Sequence, residues 1–144
     1  MKVALPEKIV FSTQLTVQVG DLNYGNHLSN DAMLRLAHEA RLRWLASMNM
    51  NEMNAGGAGL IMRFAQVQYV AQAFYGDVLQ ADLGVNAMSA AAFELNLHLW
   101  RTSDKQSIAK IVVGMAFFDY AQQRATRMPQ TFKDVLLNQE FERD

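Results

Sequence analysis

The sequence predicts an α+β fold, one antiparallel sheet laid against one long helix. Two observations carry that reading. Apolar and polar residues alternate over four separate stretches, the period of half-buried strands, and a fifth strand-like stretch is apolar on nearly both faces. Between the first and second of these lies one long stretch with apolar residues at helical spacing. A sheet with one apolar face and a helix with one apolar stripe can bury each other. The 144 residues are read as a single domain, 1–144, long enough for a real core.

The first strand is expected from Ile9 to Val19. Phe11, Thr13, Leu15, Val17 and Val19 alternate there with Ser12, Gln14, Thr16 and Gln18. Gly20 and Asp21 break the pattern, and residues 20–30 form a polar loop. Ser29 or Asn30 is suited to cap the following helix, because a short side-chain oxygen accepts a free N–H of the first turn. Asp31 suits the positive end of the helix dipole. The central helix is expected over about 31–48. Met33, Leu36, Ala37, Ala40, Trp44 and Met48 share one stripe, and Arg35, Glu39 and Arg43 fall opposite it. Ala37 and Ala40 allow close approach.

Asn49 to Gly59 reads as a loop. Four strands follow, at about 60–72, 78–85 or a little beyond, 92–101 and 108–120. The third of these is the cleanest, with Phe93, Leu95, Leu97 and Leu99 on one face. The fourth is apolar on both faces and is therefore placed centrally in the sheet. Pro129 starts a short C-terminal helix over about 129–137, carrying Phe132, Val135 and Leu136. The sheet thus has five strands or slightly more.

The net charge of -1 gives no field that draws nucleic acid or an anionic membrane. The absence of cysteine removes disulfide and thiolate chemistry and fits a reducing compartment, the cytoplasm. No apolar run reaches the roughly 18 residues of a membrane span, and the N-terminus shows no apolar core of a signal peptide.

Asp21, Asn23, Tyr24, His27 and Asn30 are gathered on the loop that enters the helix. A helix N-terminus presents free N–H groups and a positive dipole end, which stabilise an anion or an oxyanion. Gly25 lets a ligand approach the backbone. The spacing suits acyl transfer to water, and it equally suits a capping loop whose Asp and Asn side chains bond their own backbone. His98, on the polar face of a strand, and His38, on a helix flank, read as structural. Three scattered histidines without cysteine do not make a metal site. The Gly56-Gly57-Ala58-Gly59 run lacks the Gly-Lys-Ser/Thr of a phosphate loop and reads as a connector. Arg101, Lys105, Arg124 and Arg127 lie near strand ends, as solvated cations or as partners for phosphate groups. Met33, Met48, Met62 and Met115 read as core fillers or as the walls of a deformable pocket.

The run Asp21-x-Asn23-Tyr24-Gly25-x-His27-x-x-Asn30, with His38-Glu39-Ala40-Arg41-x-x-Trp44-Leu45 after it, resembles the signature of hotdog-fold acyl-CoA thioesterases of the 4-hydroxybenzoyl-CoA thioesterase type. Val67-Gln68-Tyr69 and the turn Gly76-Asp77-Val78-Leu79 are similar to their second strand and the start of their third. The resemblance covers about residues 9–120. It implies a hotdog fold and hydrolysis of an acyl-CoA thioester, without a metal or bound cofactor, CoA being part of the substrate. It implies a homodimer or homotetramer with the site at the interface between copies. The carbonyl would be polarised by N–H groups near Gly25 to Leu28. Tyr24, Gly25, Leu28 and Asn30 would line the substrate, with Asn23 and His27 positioning the water.

One departure matters. Asn23 stands where the family loop often has its catalytic carboxylate, and an amide takes no proton from water. Asp21 or Glu39 is then the candidate base. The alternative is a non-catalytic acyl-CoA-binding or regulatory module, and a third reading is a hydratase or dehydratase of the same fold.

Overall fold

The computed structural model describes residues 2–139; Met1 and residues 140–144, the ends of the expected domain span, lie outside the described residues. In chain order the elements are β1 (Phe11–Thr16), a 3-10 turn (Val19–Asp21), α1 (Asn30–Ser47), β2 (Gly59–Tyr69), β3 (Val78–Met88), β4 (Ala92–Arg101), β5 (Ser107–Asp119), the two-residue β6 (Arg124–Ala125) and α2 (Gln130–Leu137). All pairings are antiparallel, in the order β1-β3-β4-β5-β2, with β6 on β5. The chain therefore enters at one edge of the sheet, crosses its face as α1 and resumes at the opposite edge as β2.

The helix stripe and the inner sheet face form the core. Met33, Leu36, Ala37, Ala40, Trp44 and Met48 are all buried, as are Phe93, Leu95, Leu97 and Leu99 of β4. Ala32 and Ala40 are fully buried, so the small residues bring the helix close to the strands. Under the far end of α1, Trp44 meets Phe93 and Phe132 edge-on at centroid distances of 5.9 and 6.2 Å. Phe117 packs on Phe132 at 5.0 Å, which locks α2 to the same core.

The outer sheet face is covered by a segment that the alternation did not foretell. Residues 2–10 run across it. Val3 N–H donates to Gln68 Oε1, Asn96 Nδ2 to Ala4 O and Asn86 Nδ2 to Leu5 O, at 2.9, 3.0 and 2.9 Å. Gly84 lies directly below; a Cβ there would run into Lys8 O and Pro6. This cover accounts for the burial of Asn96 on a nominally polar face, while Asp82 is buried there with its carboxylate bonded by Ser12 and Trp100.

Several boundaries differ from expectation for physical reasons. β1 ends at Thr16, and Val19 is 74% exposed, because the Asp21 carboxylate takes the Gln18 N–H at 2.9 Å and turns the chain. Ser29 stands at the cap position of α1, but its hydroxyl donates to Asp31 Oδ1 at 2.7 Å, and no side chain caps the first turn. β5 lies one strand in from the β2 edge, and β4 is the middle strand; β5 is apolar on both faces because its outer side is also covered. Pro129 precedes α2 as its cap residue. No helix among the described residues is long and apolar enough to cross a membrane.

Candidate active site

The loop between β1 and α1 is held as a small closed cage. Leu22 pairs with Leu28, and Asn23 N–H donates to His27 O at 2.9 Å. Asn23 Oδ1 accepts the Gly25 N–H at 2.8 Å, a side-chain-closed turn. Asn26 completes the reversal at φ 63° and donates its N–H to Asn23 O at 3.0 Å. The cage is tied to the segment before β3: His27 bridges Phe74, and Leu28 N–H donates to Ala73 O at 2.8 Å. That segment is anchored in turn by Arg101, which binds Asp77, Asp104 and Gln72 O.

Each candidate residue has a definite place. Asp21 is mostly buried. Its carboxylate closes the 3-10 turn and lies 3.8 Å from Arg35, and its carbonyl accepts the Ser29 N–H at 2.9 Å. The Asn23 amide nitrogen lies 3.4 Å from His27 Nδ1. His27 Nδ1 is also 3.4 Å from Leu28 O. A Cβ at Gly25 would press on Asn23 Oδ1 and His27 Nε2, both at 3.2 Å, so glycine lets these side chains close over the turn. Tyr24 is fully exposed and Leu28 is buried. Asn30 opens α1, and its carbonyl accepts the Tyr69 hydroxyl of β2 at 3.2 Å. Glu39 is not part of this group. It lies on the flank toward β1, paired with Arg43 at 2.9 Å, while Arg43 reaches Thr13 and Gln14 O.

The available donors also differ from expectation. The N–H groups of Gly25 and Asn26 are bonded within the cage, and that of Leu28 is bonded to Ala73 O. The first turn of α1 directly follows, and the Ser29 side chain does not cap it. Asp31, in that turn, has its carboxyl pKa lowered by the Ser29 hydroxyl and then by Arg35, so a negative charge sits on the positive helix end. Exposed Tyr24, Phe74 and Tyr75 provide an aromatic rim on the two tied segments.

Sequence reasoning passed over a second polar cluster. Glu52, in the loop after α1, binds His38 and Arg41 on the β2 flank of the helix. Fourteen residues of loop and helix separate Glu52 from His38, so no periodic spacing announces the pair.

The fold recurs in solved structures. A 1,4-dihydroxy-2-naphthoyl-CoA thioesterase from Synechocystis superposes with a TM-score of 0.81 at 21% identity, over 89% of this chain and 96% of that one. A gentisyl-coenzyme A thioesterase superposes at 0.77 and 14%, over 88% and 99%. A Staphylococcus aureus protein solved in complex with CoA superposes at 0.81 and 18%, over 99% and 92%. No curated protein matches the chain. The sheet and its covering helix are the hotdog architecture that the loop signature implied. The family model of the thioesterase-like superfamily matches residues 17–136, and the chain belongs to that superfamily.

Proposed function

We propose that this protein hydrolyses an acyl-CoA thioester to a carboxylic acid and free CoA. The observation that carries the reading is the uncapped first turn of α1, set beside the loop cage that carries the family signature. A thioester carbonyl placed there develops its negative charge against free N–H groups and the helix dipole. Asn23 and His27 hold the loop in shape, Leu28 and Gly25 form its inner wall, and Tyr24 and Asn30 border the entrance. Asp21 acts on the loop through its bonds to Gln18 and Arg35. The complex of the Staphylococcus aureus relative with CoA supports CoA as the carrier. The reaction needs no cofactor beyond the CoA of the substrate, and the protein acts in the cytoplasm.

The active form is a homodimer, or a tetramer built from it, joined through β2. That strand is an edge of 11 residues, closed only near its start, where Leu60 N–H donates to Glu52 O at 2.7 Å and Leu60 O accepts the Tyr120 hydroxyl at 2.8 Å, and it exposes Met62, Phe64 and Tyr69. The other edge, β1, has six residues, and Arg43 caps its Gln14 carbonyl at 2.8 Å. The stretch of the β2 edge beyond Leu60 invites a second strand.

The second reading is an acyl-CoA-binding module without turnover, favoured by the amide at Asn23. Thiol release from a panel of acyl-CoAs, with wild type beside Asp21→Asn and Glu39→Gln, tests the proposal. Wild type is expected to release thiol and acid in equal amounts, and Asp21→Asn to retain part of that rate. Complete loss in Asp21→Asn with acyl-CoA binding intact would identify Asp21 as the base. A hydratase would instead add water to an enoyl-CoA and lose nearly all of that activity in His27→Ala.

A further inference from the structure

The hydrolysis needs a group that takes a proton from water; the loop's imidazole, His27, is turned through Nδ1 toward the Asn23 amide and Leu28 O, both at 3.4 Å, and the loop's carboxylate is engaged elsewhere. Asn23 is an amide. Asp21 is committed to a backbone N–H and stands near Arg35, and Glu39 is paired with Arg43 on the far flank. A carboxylate-oriented histidine lies elsewhere. His38 Nε2 is 2.7 Å from Glu52 Oε1, and Arg41 donates to Glu52 Oε2 through Nε and Nη2, both at 3.1 Å. Arg41 is only 6% exposed, so the carboxylate is gripped from the protein side while the His38 side chain is half-exposed. Leu34, Arg35, His38, Arg41, Met62 and Val113 line a cleft of about 230 Å³ between α1 and the β2 edge.

We propose that His38 is the general base of the thioester hydrolysis and that Glu52 is its positioning residue. The inference rests on the thioesterase reading above. With Glu52 accepting from Nε2–H, the lone pair of the neutral ring is on Nδ1. Nδ1 takes a proton from water as the water oxygen bonds to the carbonyl carbon. The tetrahedral intermediate then expels the thiolate as the C–S bond breaks, and the imidazolium returns the proton to sulfur. No oxidant or further reactant is needed.

The site is completed by a second copy. Asn30 and His38 are eight residues apart, about 12 Å along one helix, too far to act on one carbonyl. Tyr69 marks the α1 N-terminus through its bond to Asn30 O, and Met62 lies in the His38 cleft. Antiparallel pairing of β2 with its copy about a two-fold axis at Phe64 sets Tyr69 of one copy opposite Gly59 of the other. The first helical turn of one copy is thereby carried toward the Gly59 end of the other copy's β2, where Met62 borders the cleft of that copy's His38.

The test is thiol release from the acyl-CoA that wild type turns over best. His38→Ala is expected to lower kcat by about 10²-fold or more with KM little changed, and added imidazole to restore turnover above its background reaction. Glu52→Gln is expected to lower kcat by a smaller factor, again without raising KM. Asn30→Pro removes one first-turn donor. His38→Ala co-expressed with Asn30→Pro should recover about a quarter of the wild-type rate, since half of randomly paired dimers carry one intact composite site. The proposal is overturned if His38→Ala stays within about twofold of wild type. A loss that imidazole does not restore, with no recovery in mixed dimers, also overturns it, since His38 is then structural. Both outcomes leave the thioesterase reading standing; absence of thiol release by wild type itself removes that reading and the proposal together.

Discussion

Asn23 shows how one side chain can shape a loop. Its Oδ1 takes the Gly25 N–H and its backbone closes on His27 and Asn26. Asn23→Ala should therefore destabilise the protein by about 1 kcal/mol through loss of that bond, read as a lower urea midpoint. The sequence showed that an amide replaces a carboxylate here. It did not show that the neighbouring N–H groups are consumed inside the cage, because that depends on Asn26 adopting a left-handed turn and on Ala73 arriving from a distant segment. His98 has a different consequence. Burial lowers its pKa from the ordinary 6.5, with Asp82 partly opposing and Lys110 adding to the shift, and its Nε2 sits 2.9 Å from Ser107 Oγ. As pH falls below about 6.5 the unfolded chain takes the proton first. Native stability should decline over that interval, and His98→Gln should flatten the decline in thermal melts recorded from pH 7 to pH 5.

At the scale of elements, α1 does two jobs. Its buried stripe was legible because Met33 to Met48 recur at helical spacing, and every member of that stripe is buried. Trp44→Ala should cost about 3–5 kcal/mol, since the indole sits between Phe93 and Phe132 in a closed aromatic cluster. The exposed N-terminus does the other job. Ser29 has extended backbone at ψ 156°, which a following proline accepts, so Asn30→Pro should fold normally. It should nonetheless lower kcat by about 10²-fold, a separation that circular dichroism and thiol release together would display. The N-terminal strap was not legible, since residues 2–10 carry no period of their own. Gly84 is its trace: a methyl there would displace the Lys8 carbonyl, and Gly84→Ala should detach the strap and raise amide exchange at Val3.

For the whole molecule, the alternating strands and the single long helix were enough to define an α+β layer, and the loop signature narrowed it to one architecture. The strand order was not readable, because alternation gives faces and not neighbours; β5 was placed centrally for its apolar faces when it lies beside the free edge. That edge is where the proposed second copy would join. Phe64→Lys on β2 should weaken self-association several-fold in sedimentation equilibrium, because a two-fold axis at that exposed residue brings the two charges together on the paired edge. Turnover should fall in step with the dimer fraction if each site draws on both copies, as proposed. The distinction between an enzyme and a binding module is sharpest in a single-turnover experiment, with protein in excess over one acyl-CoA. The account predicts that the bound thioester is consumed and that one thiol appears for each acyl group supplied. Recovery of the intact thioester from the protein, bound but uncleaved across the acyl-CoA panel, would contradict it.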